Sequence, residues 1–384
     1  MSIANGSVKA GLEGIVAAET RLSRVDGQAG RLTIAGFSVQ ELATKATFEE
    51  TVYLLWHDTL PDTDTLTAFR QALAERRALP EATVALLRAA AKAEVSGMDA
   101  LRMAAGSLSL SAPDQNPSGN PERDALILIA AFPTIVATYW RLRQGQNPVT
   151  PRTDLGHTAN YLYMLFNEVP SPERTRGLET YLNTVVDHGF NASTFAGRVI
   201  IATQSDMISA IVGALGALKG PLHGGAPGPA LDMVFDIGAV DKAEAYIRQK
   251  IERGERLMGF GHRVYKVRDP RAEVLGMAAK QFYEADGNMA LYQLVTGIEE
   301  IAVKLLAEYK PGRNLDTNVE FYTALLLHGL GLTTELFTPT FAIGRVGGWT
   351  AHAFEQQREG RLIRPQSQYI GAENRHWPAA EAVL

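Results

Sequence analysis

Apolar residues recur at helical spacing along most of the chain. Phe48, Val52 and Leu55 stand at i, i+4 and i+7, which puts all three on one side of a helix. Ahead of them, Thr47 and Glu50 (TFEE) form a capping box, in which side chains satisfy the first free amides of the helix. Leu66, Phe69 and Leu73 repeat the pattern before Pro80. Ser171-Pro172 supplies an N-cap and a proline at the first helical position. Leu178, Leu182 and Val185 then mark the apolar stripe of a helix running toward Asp187. Glu299 to Glu308 is a further candidate. Roughly a dozen or more such segments stand against one small β-ribbon. There Arg31-Leu32-Thr33-Ile34 follows the turn signals Asp26-Gly27 and Gly30. The pattern predicts a mainly α fold without internal repeats, low-complexity tracts or flexible linkers.

Two breaks interrupt it. Pro, Gly and Asn concentrate from Pro113 to Pro121 (PDQNPSGNP), which reads as a surface loop. From Gly220 to Pro229, GPLHGGAPGP reads as a domain crossover or hinge between helical stretches. The uncharged run from Ala125 to Trp140, interrupted by Pro133, falls short of the roughly 18 to 20 apolar residues needed to span a bilayer and reads as a buried helix. The first residues (MSIANGSVKAGLEG) lack an apolar core between basic residues and a cleavage pattern, so a cytoplasmic location is expected.

Composition narrows the function. A chain of 384 residues predicts two to three domains, or one large core with an appendage. With 37 Lys+Arg against 42 Asp+Glu the net charge is -5, which leaves no global positive field for nucleic acid or an acidic membrane. Any anion site must be local. The absence of cysteine excludes disulfides, thiolate metal sites, iron-sulfur clusters and a Cys nucleophile.

Several residues could carry chemistry. His223 lies inside the Gly/Pro-rich break, where a ligand can approach the backbone; a structural turn with a satisfied histidine is an equal reading. No Gly-Lys-Ser/Thr follows, so this is not a phosphate loop. In MGFGHRVYKVRDPRA, His262 stands beside Arg263, Lys266, Arg268 and Arg271, offset by Asp269 alone. That makes either a local anion site or a solvated basic loop. Gly259-Phe260-Gly261 lacks the third glycine of a dinucleotide fingerprint. Asp316 and Glu320 open an apolar helical run, where a carboxylate more often complements the helix dipole than acts as a base. Arg345 and Arg364 sit in apolar or turn-like surroundings and need anionic partners. DHGFNAST puts His188 at a helix boundary, in a possible capping network. The histidines His188, His223 and His262 lack i+3 or i+4 partners, so no metal site is expected, and no G-x-S-x-G elbow occurs.

Taken in order, DHGFNASTF, GPLHGGAP, GFGHRVYKVRDPR, NVEFYTALL, FAIGRVGGWTAHAFEQ and RLIRPQSQYIG resemble the motif series of the citrate synthase family. GLEGIVAAET, VDGQAG, TFEETVYLLWHDTLP, FPTIVATYW and NYLYMLFNEVPSPE resemble its N-terminal half, so the likeness covers nearly the whole chain. It implies an all-α homodimer. A large helical domain (1–225 with 332–384) would carry a smaller one (226–331) that closes over the active site. It implies condensation of acetyl-CoA with oxaloacetate and hydrolysis of the thioester to citrate and CoA. Coenzyme A is then a co-substrate, with no other cofactor and no metal.

By motif, His223, His262 and Glu320 would be catalytic. His188, His262, Arg271 and Arg345 would hold oxaloacetate, with Arg364 contributed by the partner subunit. Lys266 would meet a CoA phosphate, and Leu257, Gly259, Phe260 and Gly261 fall in the loop that wraps the adenine. Two departures stand out: Glu320 where the family motif has Asp, and Ala35 where it often has Arg. A 2-methylcitrate synthase using propionyl-CoA, or a weakly active or non-catalytic ligand-binding homologue, are the alternatives.

Overall fold

The computed structural model describes residues 10–12, 14–111, 119–224, 227–262 and 264–377. Residues 1–9, Pro113 to Ser118, Gly225, Ala226 and Arg263 therefore lie outside the described residues. β1 (Ser23–Asp26), β2 (Arg31–Ile34) and β3 (Phe37–Ser38) form an antiparallel ribbon in that order. The expected ribbon thus has a partner on each side of Arg31–Ile34. Ser23 pairs with Ile34, and Ile34 with Phe37. The second turn is Ala35-Gly36, both at positive φ (44° and 86°), the geometry that suits the twist of a two-residue hairpin.

Sixteen α-helices follow among the described residues. They are α1 (Val39–Lys45), α2 (Phe48–His57), α3 (Thr63–Ala74), α4 (Glu81–Lys92), α5 (Gly97–Ser107), α6 (Pro121–Arg143), α7 (His157–Phe166) and α8 (Pro172–Val185). There follow α9 (Ala192–Ile201), α10 (Met207–Leu218), α11 (Pro227–Ile237), α12 (Val240–Glu252), α13 (Pro270–Asp286), α14 (Ala290–Tyr309), α15 (Val319–Gly329) and α16 (Thr334–Glu359).

The start signals act as the sequence predicts. Thr47 and Glu50 close a reciprocal capping box on α2, and Ser171 accepts from the Arg174 amide at the head of α8. α14 begins at Ala290, well before Glu299, because Leu294, Val295 and Ile298 continue the stripe. The Gly220 to Pro229 break is shorter than expected, since α11 already starts at Pro227. α6 takes Pro133 in its interior and is buried from Asp124 to Tyr139.

α16 is the axis of the core and packs on α2, α5, α6, α8, α9 and α10. Two glycines permit its approach to α8. A Cβ on Gly348 would lie 2.1 Å from the Val186 carbonyl oxygen, and one on Gly344 would lie 2.9 Å from that of Leu182. Among α11 to α15, α12 lies on α14 and α11 on α15, while α13 packs between α15 and α8. The cleft between α8, α16 and the segment ahead of α13 is where the candidate residues meet.

Candidate active site

His188 stands in the turn between α8 and α9. Gly189 takes φ +61° there, and its amide donates to Ser23 Oγ at 2.8 Å. The hydroxyl of Ser23 in turn donates to the buried Asp187 carboxylate. His188 Nε2 lies 3.0 Å from the Tyr265 hydroxyl, and its ring centre is 5.9 Å from that of His262. Burial, then the charges of Arg271 and Arg345, hold the His188 imidazole well below its ordinary pKa.

His262 is set by backbone. The amides of Val264 and Tyr265 donate to its Nδ1 at 3.0 and 3.1 Å, so the ring hydrogen belongs on Nε2. Arg271 Nη2 lies 3.4 Å from that Nε2. Asp269 clamps Arg271 through Nε at 3.1 Å and Nη2 at 2.8 Å, a bidentate grip that fixes the guanidinium plane. Burial and the neighbouring Arg271 bring the pKa of His262 down to about 4.

A short antiparallel bridge between Phe260 and Thr317 ties this loop to the head of α15. Asn318 donates its amide to the Gly259 carbonyl and its Nδ2 to the Gly261 carbonyl, both at 2.9 Å. Its Oδ1 accepts from the Glu320 amide at 3.0 Å, capping α15. Gly259 and Gly261 take φ of +86° and +80°, and a Cβ on Gly259 would stand 2.8 Å from Phe321. The glycines thus serve a left-handed turn against α15. The Glu320 carboxylate is half-buried and has no hydrogen-bond partner among the described residues. Burial raises its pKa, and Arg271 opposes the shift.

Arg345 is 2% exposed on α16. Its Nε donates to the Val185 carbonyl at 2.6 Å, at the C-terminal end of α8, and its guanidinium lies over the Phe341 ring. The two terminal nitrogens have no hydrogen-bond partner among the described residues. A guanidinium in this state is costly until an anion meets it, and burial lowers its pKa to about 10.

His223 reaches the same cleft from the turn after α10. Its Nε2 lies 2.8 Å from Ser193 Oγ, which also accepts from Trp349 Nε1 at 3.2 Å. Ser193 stands 2.7 Å from Asn191 Oδ1, the N-cap of α9, as the capping reading of DHGFNAST anticipates. Burial, then Arg345, lowers the pKa of His223 to about 4. A ring that stays neutral there can donate a hydrogen bond rather than a proton.

The cleft thus gathers His188, His262, Arg271 and Arg345, with His223 beside Arg345 and Glu320 beside Arg271. The basic cluster read around His262 is divided. Arg271 faces the cleft, Arg268 turns to Glu299 at 2.9 Å, and Lys266 is exposed. Leu257 is buried, Phe260 packs on Phe321 with ring centres 5.0 Å apart, and Asp316 accepts from the Thr317 amide ahead of α15. Arg364 stands outside the cleft on an exposed segment. Sequence reasoning missed Tyr265, Asn318, Trp349 and His352. Arg345, Trp349 and His352 fall at i, i+4 and i+7, a spacing that could have grouped them on one face.

Residues 11–366 match the family model described as citrate synthase, C-terminal domain. Citrate synthase 2 of Bacillus subtilis is 41% identical over 374 residues, 97% of this chain and 98% of that protein. The 2-methylcitrate synthase of Mycobacterium tuberculosis H37Rv is 38% identical over 371 residues, 97% of this chain and 92% of that protein. The solved ternary complex of carboxymethyl coenzyme A and oxaloacetate with the citrate synthase of Thermoplasma acidophilum superposes with a TM-score of 0.85. It is 29% identical and covers 96% of this chain and 98% of that one. Agreement of this kind along nearly the full length, over helices and turns that carry the motifs of the cleft, means that the chain belongs to the citrate synthase family.

Proposed function

We propose that this protein condenses acetyl-CoA with oxaloacetate and hydrolyses the resulting thioester to citrate and CoA. The observation that carries this reading is the meeting of His188, His262, Arg271 and Arg345 in one cleft, with the ends of a buried guanidinium left for an anion. Two arginines suit two carboxylates, and the pair would orient the dianion with its ketone toward His262.

A thioester methyl is a very weak acid, so its deprotonation requires stabilisation of the enolate oxygen. Glu320 takes the methyl proton, and the raised pKa from its burial makes it the stronger base. Neutral His223 donates a hydrogen bond to the enolate oxygen. Ser193 Oγ gives its own hydrogen to Asn191 Oδ1 and so accepts from His223, which puts the ring hydrogen on Nε2; the enolate oxygen would take that hydrogen bond in place of Ser193. The enolate carbon then attacks the ketone carbon of oxaloacetate, whose oxygen becomes an alkoxide stabilised by the hydrogen bond from Nε2 of His262, the proton that completes the hydroxyl coming from solvent. Water cleaves the new thioester to a carboxylate and free CoA thiol.

Lys266 and the loop Leu257, Gly259, Phe260 and Gly261 would hold the coenzyme, and closure of 226–331 on the rest of the chain would exclude water. Arg364 would enter the cleft of a partner subunit in a homodimer. The exposure of Tyr369 (69%) and Ile370 (92%) on the same extended segment supports burial against a second chain.

Release of free thiol from acetyl-CoA on addition of oxaloacetate tests the activity, and no release would refute it. The 2-methylcitrate synthase at 38% identity favours propionyl-CoA as a second reading. One methylene is worth only about 1–3 kcal/mol of discrimination. A kcat/KM for propionyl-CoA well above that for acetyl-CoA would decide for it.

A further inference from the structure

Behind His188 runs a buried chain of polar groups that touches no reacting atom in the scheme above. It begins at Arg198 on α9, which is 3% exposed. Its Nη1 donates to Glu355 Oε2 at 2.6 Å, and its Nε donates to Gln356 Oε1 at 3.0 Å. Nη1 also lies 3.1 Å from Nδ1 of His352, which is 1% exposed. His352 Nε2 lies 3.1 Å from Oδ1 of Asp187, which is fully buried. Asp187 Oδ2 accepts from Ser23 Oγ, which in turn receives the Gly189 amide. Asp187 and Gly189 flank His188 in the sequence.

Hydrogen counting fixes the order. A guanidinium has only donors, so Nδ1 of His352 presents its lone pair to Arg198. The ring hydrogen then sits on Nε2 and is donated to Asp187. One carboxylate oxygen of Asp187 is thus held from α16 and the other from β1. The turn that carries His188 is gripped from both sides before any ligand arrives. Burial works to raise the pKa of Asp187, but His352 and Arg345 outweigh it and keep the carboxylate charged. Loss of the His352 donor would leave Oδ1 buried and unpaired at the base of the oxaloacetate site.

We propose that His352 is a positioning residue for oxaloacetate, acting through Asp187 on the turn that presents His188. This rests on the oxaloacetate reading given above. His188 would hold the dianion equally before and during reaction, so the effect should fall on KM for oxaloacetate more than on kcat.

Two substitutions separate the hydrogen bond from simple filling of space. His352→Gln places an amide donor at about the reach of Nε2, whereas His352→Asn ends near Nδ1 and cannot meet Asp187. The oxaloacetate KM should rise about tenfold or more in His352→Asn, the scale of one buried unsatisfied acceptor. It should stay within about threefold of the parent in His352→Gln. The KM for acetyl-CoA should move in neither.

Equal effects of the two substitutions, or equal shifts for both substrates, would overturn the proposal. Nitrogen-15 NMR of the histidine-labelled parent protein gives a readout that needs neither variant nor turnover. A His352 hydrogen found on Nδ1 would overturn it even if His352→Asn fails to fold. A parent protein with the His352 hydrogen on Nε2 that neither binds oxaloacetate by calorimetry nor releases thiol would overturn the assigned activity instead. The positioning role toward oxaloacetate would fall with it.

Discussion

One wall of the cleft, made by α8 and α16, is set by helix packing. Gly344 and Gly348 let the two segments touch backbone to backbone, and that contact delivers Arg345 to the last carbonyls of α8. The opposite wall, from Gly259 to Arg271 with the head of α15, is set by backbone pairing and by Asn318. The packed wall offers a preformed anion subsite. The paired wall carries Glu320 and His262, the proposed base and alkoxide donor, whose mutual spacing would have to be correct to within an ångström. Arg271 and His262 would bind from the paired wall as well, but the proposed base sits there alone, so loss of the base and loss of the packed-wall guanidinium should be separable.

The largest separation is expected at Glu320. Glu320→Gln keeps the size and removes the base, so thiol release should fall by about 10²–10⁴-fold. Oxaloacetate binding, read by calorimetry, should be retained. Full activity in this variant would remove Glu320 from the mechanism, and a parallel loss of binding would erase the distinction between the walls. Glu320→Asp sharpens the same point. Withdrawal of the carboxylate by roughly one methylene should cost about 100-fold if the backbone is set for glutamate. A gain in rate would mean instead that the longer side chain makes the parent a poor catalyst.

The mirror experiment is Arg345→Lys. Lysine keeps the charge but loses the fork and the Nε bond to Val185. The oxaloacetate KM should rise by about 30-fold or more, the low end for breaking a buried charge-assisted pair, with a smaller change in kcat. A fall in kcat alone would place Arg345 in the chemistry rather than in binding.

Asn318→Ala should have a smaller effect than either. It removes the cap of α15 and the tie to Gly261 together, at about 1 kcal/mol for the cap. The head of α15 then moves relative to His262. A loss of kcat on the order of tenfold is expected, with oxaloacetate affinity unchanged. Equal loss of affinity would show that the head of α15 also positions the part of the anion subsite that His262 and Arg271 supply.

Legibility in the sequence follows the same division. Helices announced themselves wherever the signal was local: the Thr47 box, the Ser171-Pro172 start and the stripe of α8 all read correctly from neighbours in the chain. The candidate site residues were legible as an ordered set of motifs because each carries an unusual side chain in an apolar or glycine-rich setting. Their supports were not. Tyr265 meets His188 across |i−j| of 77, and His352 meets Asp187 across 165. No spacing rule reaches over such distances. The glycines of GRVGG and GFG were visible, yet only the structure shows what approaches them: the Val186 carbonyl in one case and Phe321 in the other. The division of the basic cluster was equally hidden, since Glu299, which draws Arg268 away, comes from another helix.

The smallest effect concerns stability and pH. His262 on the paired wall is held at about 4 against an ordinary 6.5, with burial the main cause and Arg271 the next. An unfolded chain takes up a proton on this ring below 6.5, whereas the folded one does not until about 4. The unfolded state therefore binds more protons in that window, and stability falls as the pH drops through it. Above 6.5 the contribution is fully present. His262→Asn removes the difference, so its melting temperature should fall less than that of the parent between pH 6.5 and 4.5, by about 2–4 °C after allowance for partial solvent screening. Oxaloacetate should shrink the parent's loss too, because a dianion beside the ring favours its charged form and draws its folded pKa back toward 6.5. An identical slope in parent and variant would mean that the ring is not shielded from protonation. The electrostatic contrast between an unfilled and a filled anion subsite would then have no foundation on this wall.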